Sequence, residues 1–140
     1  MFRETEDYIK CKDEQSFKMA FIRKELEAET KEHHVFCIES ESTMTGFPDV
    51  MELIAGSDNI AYFYEFKFAD KAGNIKFRPT QPGFYRRHPN MNITVVACNP
   101  VSRTVHLFKA QGIFAPSSPY FTADNRINLC KVEADREKNV

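Results

Sequence analysis

The segment Ile60–Phe68, Ile-Ala-Tyr-Phe-Tyr-Glu-Phe-Lys-Phe, constrains the fold of this chain more than any other stretch. Its aromatic and β-branched residues predict a strand. Alternation then places Phe63, Glu65 and Lys67 on one face and Tyr62, Tyr64, Phe66 and Phe68 on the other. A glutamate and a lysine within so apolar a strand cost free energy unless they pair or bind an ion. Any fold for this chain has to give those two side chains partners.

The remaining elements are read around that strand. Asp13 is a suitable N-cap for a helix over residues 13–29, with Glu14 favourable at its positive end. Phe17, Ala20, Phe21 and Ala28 form one apolar stripe, and Met19, Ile22 and Leu26 a second, which predicts burial on more than one side. Glu14 projects toward the edge of that core. Val35–Ile38 predicts a first strand, followed by a polar stretch over 39–45. Gly46-Phe47-Pro48-Asp49 is a turn signal opening a second strand, Val50–Ala55, and Gly56–Asn59 a second turn. After the Ile60–Phe68 strand comes a basic loop, Asp70–Arg78.

Pro79-Thr80-Gln81-Pro82 reads as a helix start with Thr80 as N-cap, although Pro82-Gly83 is poor helix material. Gln81, Phe84, Tyr85 and His88 share one face, and Pro89 stops the helix. Ile93–Cys98 and Thr104–Lys109 predict two more strands, joined at Asn99-Pro100. The order is helix, three strands, helix, one or two strands, which predicts an α/β sandwich with a mixed sheet. Residues 1–12 are expected to be a loose, flexible N-terminus. Residues 111–140 carry a fading signal, and Phe114, Tyr120 and Phe121 dock this extension either on the core or on a second subunit.

With 140 residues the chain has room for one domain. Its 42% apolar and 13% aromatic content excludes global disorder. No run approaches the ~20 apolar residues of a membrane span. The charged N-terminus lacks the apolar stretch of a signal peptide, so an intracellular, cytoplasmic protein is expected. Cys11, Cys37, Cys98 and Cys130 are too scattered for a zinc or redox motif and are expected to stay reduced. His33, His34, His88 and His106 form no ligand pattern either.

Charge is unevenly spread. Residues 1–60 carry 7 Lys and Arg against 14 Asp and Glu, residues 61–90 carry 6 against 2, and residues 91–140 carry 6 against 4. An acidic first half joined to a basic middle can hold cations on one side of a site and an anion on the other. A hairpin through Gly56–Asn59 would bring Asp49 opposite Lys67, next to Glu65. Two carboxylates there suit Mg²⁺, and the neighbouring ammonium can orient a phosphate. Glu52, an odd number of residues from Asp49, turns to the opposite face and is left out. Lys71, Lys76, Arg78, Arg86 and Arg87 are expected to grip nucleic-acid phosphates. Phe77 is expected to be a hydrophobic anchor in that loop.

Gly46-Phe47-Pro48-Asp49, a fifteen-residue interval, Glu65-Phe66-Lys67 and the downstream Gln81 resemble the PD-(D/E)xK nuclease superfamily, and within it the VRR-NUC branch akin to Holliday-junction resolvases. The resemblance covers roughly residues 13–110. It implies a restriction-endonuclease-like αβββαβ core whose Asp49 and Glu65 ligate Mg²⁺ or Mn²⁺, with Lys67 assisting the chemistry and Gln81 supporting the site. The family's first helix often contributes a glutamate, for which Glu14 is the best match and Glu25 a weaker one. The activity implied is a metal-dependent endonuclease acting on structured or branched DNA in replication, repair or recombination, often in viruses, and a homodimer would suit two-strand cleavage. Two alternatives stand beside it: a non-catalytic nucleic-acid-binding or assembly module on the same fold, and a restriction-type enzyme reading a short sequence.

Overall fold

The computed structural model describes residues 2–4, 8, 11–26, 33–38, 46–56, 60–115 and 117–138. Its centre is a six-stranded sheet in the order β1-β7-β6-β4-β3-β2. The strands are β1 (Phe2–Glu4), β2 (His33–Cys37), β3 (Val50–Ile54), β4 (Ala61–Phe68), β6 (Asn92–Asn99) and β7 (Thr104–Lys109), with β5 (Asn74–Lys76) outside the main sheet. Among the described strands only β4 and β6 run parallel, and α2 (Thr80–Arg87) makes the crossover between them. The other pairs are antiparallel. A mixed α/β sheet with flanking helices is the predicted architecture.

The alternation read from Ile60–Phe68 governs the layers. Phe66 packs on one side of the sheet with Phe17, Phe21, Ile22 and Leu26 of the first helix, and with Val50, Val96 and Val105. Phe63 faces the other side, over the core of Phe84, Tyr85, Val95, Ala97, Phe114 and Leu129. Each layer removes several large side chains from water, and this burial is the main favourable contribution to folding. Ring contacts knit the first layer: Phe17 and Phe21 lie 6.0 and 5.6 Å from Phe66, both edge-on.

The first helix, α1, runs Glu14–Phe21 and continues as a π-helical turn over Ile22–Leu26, so it is described to 26. Residues 27–29 of the expected helix, the polar stretch 39–45, and 57–59 of the second turn lie outside the described residues. Asp13 caps it through a reciprocal box, accepting from the Ser16 amide at 2.8 Å. That bond holds the Asp13 carboxyl below its ordinary pKa. The second apolar stripe is realised at two of its three positions: Ile22 and Leu26 are buried, but Met19 is 40% exposed because the helix meets the sheet on one side.

The N-terminal residues depart from expectation. The first twelve residues are not simply loose: Phe2–Glu4 forms an edge strand against β7, and Tyr8 is buried against Phe17 and Phe21. Past residue 110 the chain packs on the core, one of the two placements expected for it. A short helix, α3 (Ala110–Ile113), leads to β8 (Arg126–Asn128), which pairs antiparallel with β5. The last helix, α4 (Leu129–Lys138), then returns to the core, burying Leu129 and Val132 beside Ile127 and Phe114. The extension packs on its own core, and the basic loop Asp70–Arg78 holds a strand within it. Thr80 is the first residue of α2, and Pro79 occupies the cap position without a side-chain hydrogen bond.

The four cysteines are free thiols, as expected. Among the described residues no helix is long and apolar enough to cross a membrane.

Candidate active site

The β3–β4 register sets the site. Val50 faces Tyr64 and Met51 faces Phe63, so one step further Asp49 falls opposite Glu65. The expected pairing of Asp49 with Lys67 is therefore off by two residues, and the shift sets the two carboxylates directly against each other. Glu65 is 2% exposed and lies opposite Asp49 in that register. Burial pushes the Glu65 carboxyl well above the ordinary range, and Asp49 adds to this by hydrogen bonding and by repulsion. Lys67 opposes the shift.

Gly46 lets the Asp49 turn approach α2. Its φ is +92°, and a Cβ there would lie 2.8 Å from both Phe84 Cβ and the Thr80 carbonyl oxygen. Phe47 then packs edge-on between Phe63 and Phe84, at 5.5 and 5.6 Å. The glycine and the aromatic residue together press the turn onto the first turn of α2.

From that first turn Gln81, fully buried, reaches the charged pair. Its Nε2 donates to Glu65 Oε1 at 2.8 Å. Its Oε1 accepts from Lys67 Nζ at 3.1 Å and from the Arg78 amide at 2.8 Å. Amide orientation, carboxylate and ammonium are thus mutually determined. Lys67 Nζ also lies 4.7 Å above the ring of Phe77, which is buried edge-on against Phe114, as a hydrophobic anchor should be.

Glu14 comes from the opposite layer, at the N-terminus of α1, and stays open to solvent. Protein crowding its carboxyl raises its pKa, Lys67 lowers it, and Asp49 raises it. It stands within electrostatic reach of the site but does not complete a ligand cluster. Among the described residues no group of three or more His, Cys, Asp or Glu is placed to hold a metal ion. The pair Asp49–Glu65 remains. These two facing carboxylates are the residues that could hold a divalent cation, and Mg²⁺ characteristically uses one or two carboxylates and keeps its waters.

A groove of about 830 Å³ meets the site at Lys67 and Glu14. Lys71 and Lys76 line it, with Lys12 from the α1 approach. Arg78 is exposed where the loop enters α2, and its charge reaches Glu14. Arg86 and Arg87 do not line this groove: the Arg86 guanidinium donates to the Phe114 carbonyl at 3.3 and 3.2 Å. Glu52 is buried on the other face, where the Tyr64 hydroxyl donates to it at 3.0 Å. Glu25 pairs instead with the Tyr8 hydroxyl, at 3.2 Å.

Tyr85 is the residue that sequence reasoning left without a role. It lies one turn after Gln81, fully buried, with a hydroxyl that finds no hydrogen-bond partner among the described residues. Burial raises its pKa, and the charges of Glu65 and Asp49 raise it further. The signal was available in the shared helical face of Gln81 and Tyr85. Comparison with protein-family models, curated proteins and solved structures finds no match to this chain.

Proposed function

We propose that the chain is a divalent-cation-dependent phosphodiesterase acting on DNA, with structured or branched DNA as its preferred form. One observation carries the reading: a buried Glu65 faces Asp49 and is tied through Gln81 to Lys67, at the head of a lysine-lined groove. An isolated surface ion pair needs no buried amide linking its members. A site for an anionic substrate and a cation needs this clustering of opposite charges.

Asp49 and Glu65 would hold Mg²⁺ or Mn²⁺. When bound, the cation supplies Lewis-acid activation of water and neutralises charge on the phosphate. Lys67, held by Gln81 and Phe77, presents a fixed positive charge to the oxygens of the scissile phosphate. A preoriented charge requires little reorganisation as the transition state forms. Gln81 keeps Glu65 and Lys67 in register, while Lys71 and Lys76 hold the flanking backbone by charge alone.

The test is cleavage of a labelled four-way junction and its linear duplex arms with Mg²⁺ or Mn²⁺, comparing wild type, Asp49→Ala and Lys67→Ala. Junction-selective cutting lost in both variants supports the proposal. Equal cutting of all substrates retains the phosphodiesterase and removes the branch preference. Tight binding without cutting by wild type, with either metal, assigns a non-catalytic binding module instead.

A further inference from the structure

Pro100 and Val101, at the tip of the β6–β7 hairpin, also line the groove that meets the candidate site. Val101 is 61% exposed, the most exposed large hydrophobic side chain among those described. An apolar residue at a hairpin tip is unremarkable when the tip is free to move, but this one is braced. The Val101 amide donates to Asn99 Oδ1 at 3.2 Å. Ser102 Oγ donates to Glu133 Oε1 at 2.7 Å and lies 2.7 Å from Thr104 Oγ1. Thr104 also bonds Glu133, and His106 Nε2 meets the same carboxylate at 2.7 Å. Asn99, Thr104 and His106 are all buried, so a polar network under the tip ties it to α4.

The groove between tip and site is cationic. Lys12, Lys71 and Lys76 make no ion pair among the described residues, and all three are exposed. Two of its three carboxylates are already engaged: Asp13 caps α1, and Asp70 accepts the amides of Ala72 and Asn74 at 2.9 and 3.0 Å. Uncommitted ammonium groups along the wall and a rigid apolar end fit a polyanion that also carries flat apolar groups. A polynucleotide strand has both, and its bases are free to meet an apolar surface only where they are unpaired.

We propose that this groove takes an unpaired stretch of polynucleotide, its phosphates on Lys12, Lys71 and Lys76 and a base against Pro100–Val101. The proposal rests on the phosphodiesterase reading for the direction of the groove, but binding alone tests it.

The experiment is fluorescence anisotropy in EDTA, so that no cleavage intervenes. The probes are a labelled oligo(dT), the matching oligo(rU) and a blunt DNA duplex of equal length. Wild type is expected to prefer a single strand over the duplex, the two oligonucleotides showing whether the sugar matters. Val101→Ser should weaken single-strand binding roughly three- to ten-fold and leave duplex binding unchanged. Lys71→Ala with Lys76→Ala should lower the slope of log K against log salt by about 1.4 for the single strand, since each phosphate contact contributes about 0.7. Circular dichroism melts verify that both proteins fold. Equal binding of single strand and duplex by wild type, or wild-type single-strand affinity in Val101→Ser, overturns the proposal. Single-strand binding with this pattern but no cleavage in Mg²⁺ or Mn²⁺ leaves the groove assignment intact and removes the catalytic one.

Discussion

Gln81 is the link between Glu65 and Lys67: one amide donates to the carboxylate at 2.8 Å and accepts from the ammonium at 3.1 Å. The same oxygen accepts the Arg78 amide, so the side chain also fastens the start of α2. A buried charged group that loses its partner incurs its full desolvation cost. Gln81→Ala is therefore expected to destabilise the protein by about 2–3 kcal/mol, read by urea denaturation. Gln81→Glu should cost at least as much, because it sets a third carboxylate against Glu65. Equal stability of wild type and Gln81→Ala would show that the amide is not the link.

Asp49 should behave in the opposite way. Without a cation, Asp49 and Glu65 repel, and Asn at 49 relieves that repulsion. Asp49→Asn is expected to be at least as stable as wild type in EDTA by scanning calorimetry. With Mg²⁺ or Mn²⁺ at a hundred times its dissociation constant, mass action should add about 2.7 kcal/mol to wild type. Asp49→Asn should gain none of it. A cation-induced shift that survives the substitution places the ion elsewhere.

The network beneath the β6–β7 tip makes stability depend on pH. Burial lowers the His106 pKa from its ordinary 6.5, a push that outweighs the bond to Glu133, while Arg136 lowers it further. Burial would raise Glu133, but bonds from Thr104, Ser102 and His106 bring it below the ordinary value. In both cases the unfolded chain takes up its proton first. Their stabilisation is complete above about pH 7 and is lost as pH falls, first through His106 and then, below about 4.5, through Glu133. Glu65 acts with the opposite sign, since its raised pKa favours the folded state at low pH. The informative quantity is thus the difference between wild type and His106→Asn. Urea denaturation from pH 8 to 5 should show that difference shrinking as pH falls; a constant difference would exclude the role of His106.

Gly46→Ala is expected to cost at least about 2 kcal/mol, through the positive φ alone. The added methyl also meets the Thr80 carbonyl and Phe84 Cβ, neither of which is a flexible chain end. If Asp49 is carried away from Glu65 as a result, cation-dependent stabilisation should fall with it. Calorimetry with and without Mn²⁺ measures both effects, and unchanged melting would mean that the turn can recede from α2.

Much of the sheet was readable because its signals are local. Alternation in Ile60–Phe68 separates Phe63, Glu65 and Lys67 from Phe66, and the Asp13 cap needs only Ser16 three residues on. The Asn99-Pro100 turn likewise joins neighbouring strands. What escaped depends on distant partners. Ile75 and Ile127 each form the single apolar position of a three-residue strand, too short for any period, and Asn74 meets Asn128 across 54 residues. Tyr8 is one aromatic in a charged stretch, buried only because Phe17 and Phe21 leave room for it. The hairpin register failed by two because Asp49 opposite Lys67 centres the hairpin on residue 58, whereas the observed pairs centre it on 57, and a shift of one residue in the centre moves every pair by two. Within the candidate site, Asp49, Glu65, Lys67 and Gln81 came together, whereas Arg86 was drawn to a carbonyl that only the folded extension supplies.

Pairing of β5 with β8 has a consequence for synthesis. Lys71 and Lys76, which wall the groove together with Lys12, lie on a loop whose strand is completed by residues 126–128, 54 residues from Asn74 to its partner Asn128. A ribosome reaches Asp49, Glu65, Lys67 and Gln81 long before it adds that last strand. During elongation the charged centre can therefore assemble while the wall beside it is still unsupported.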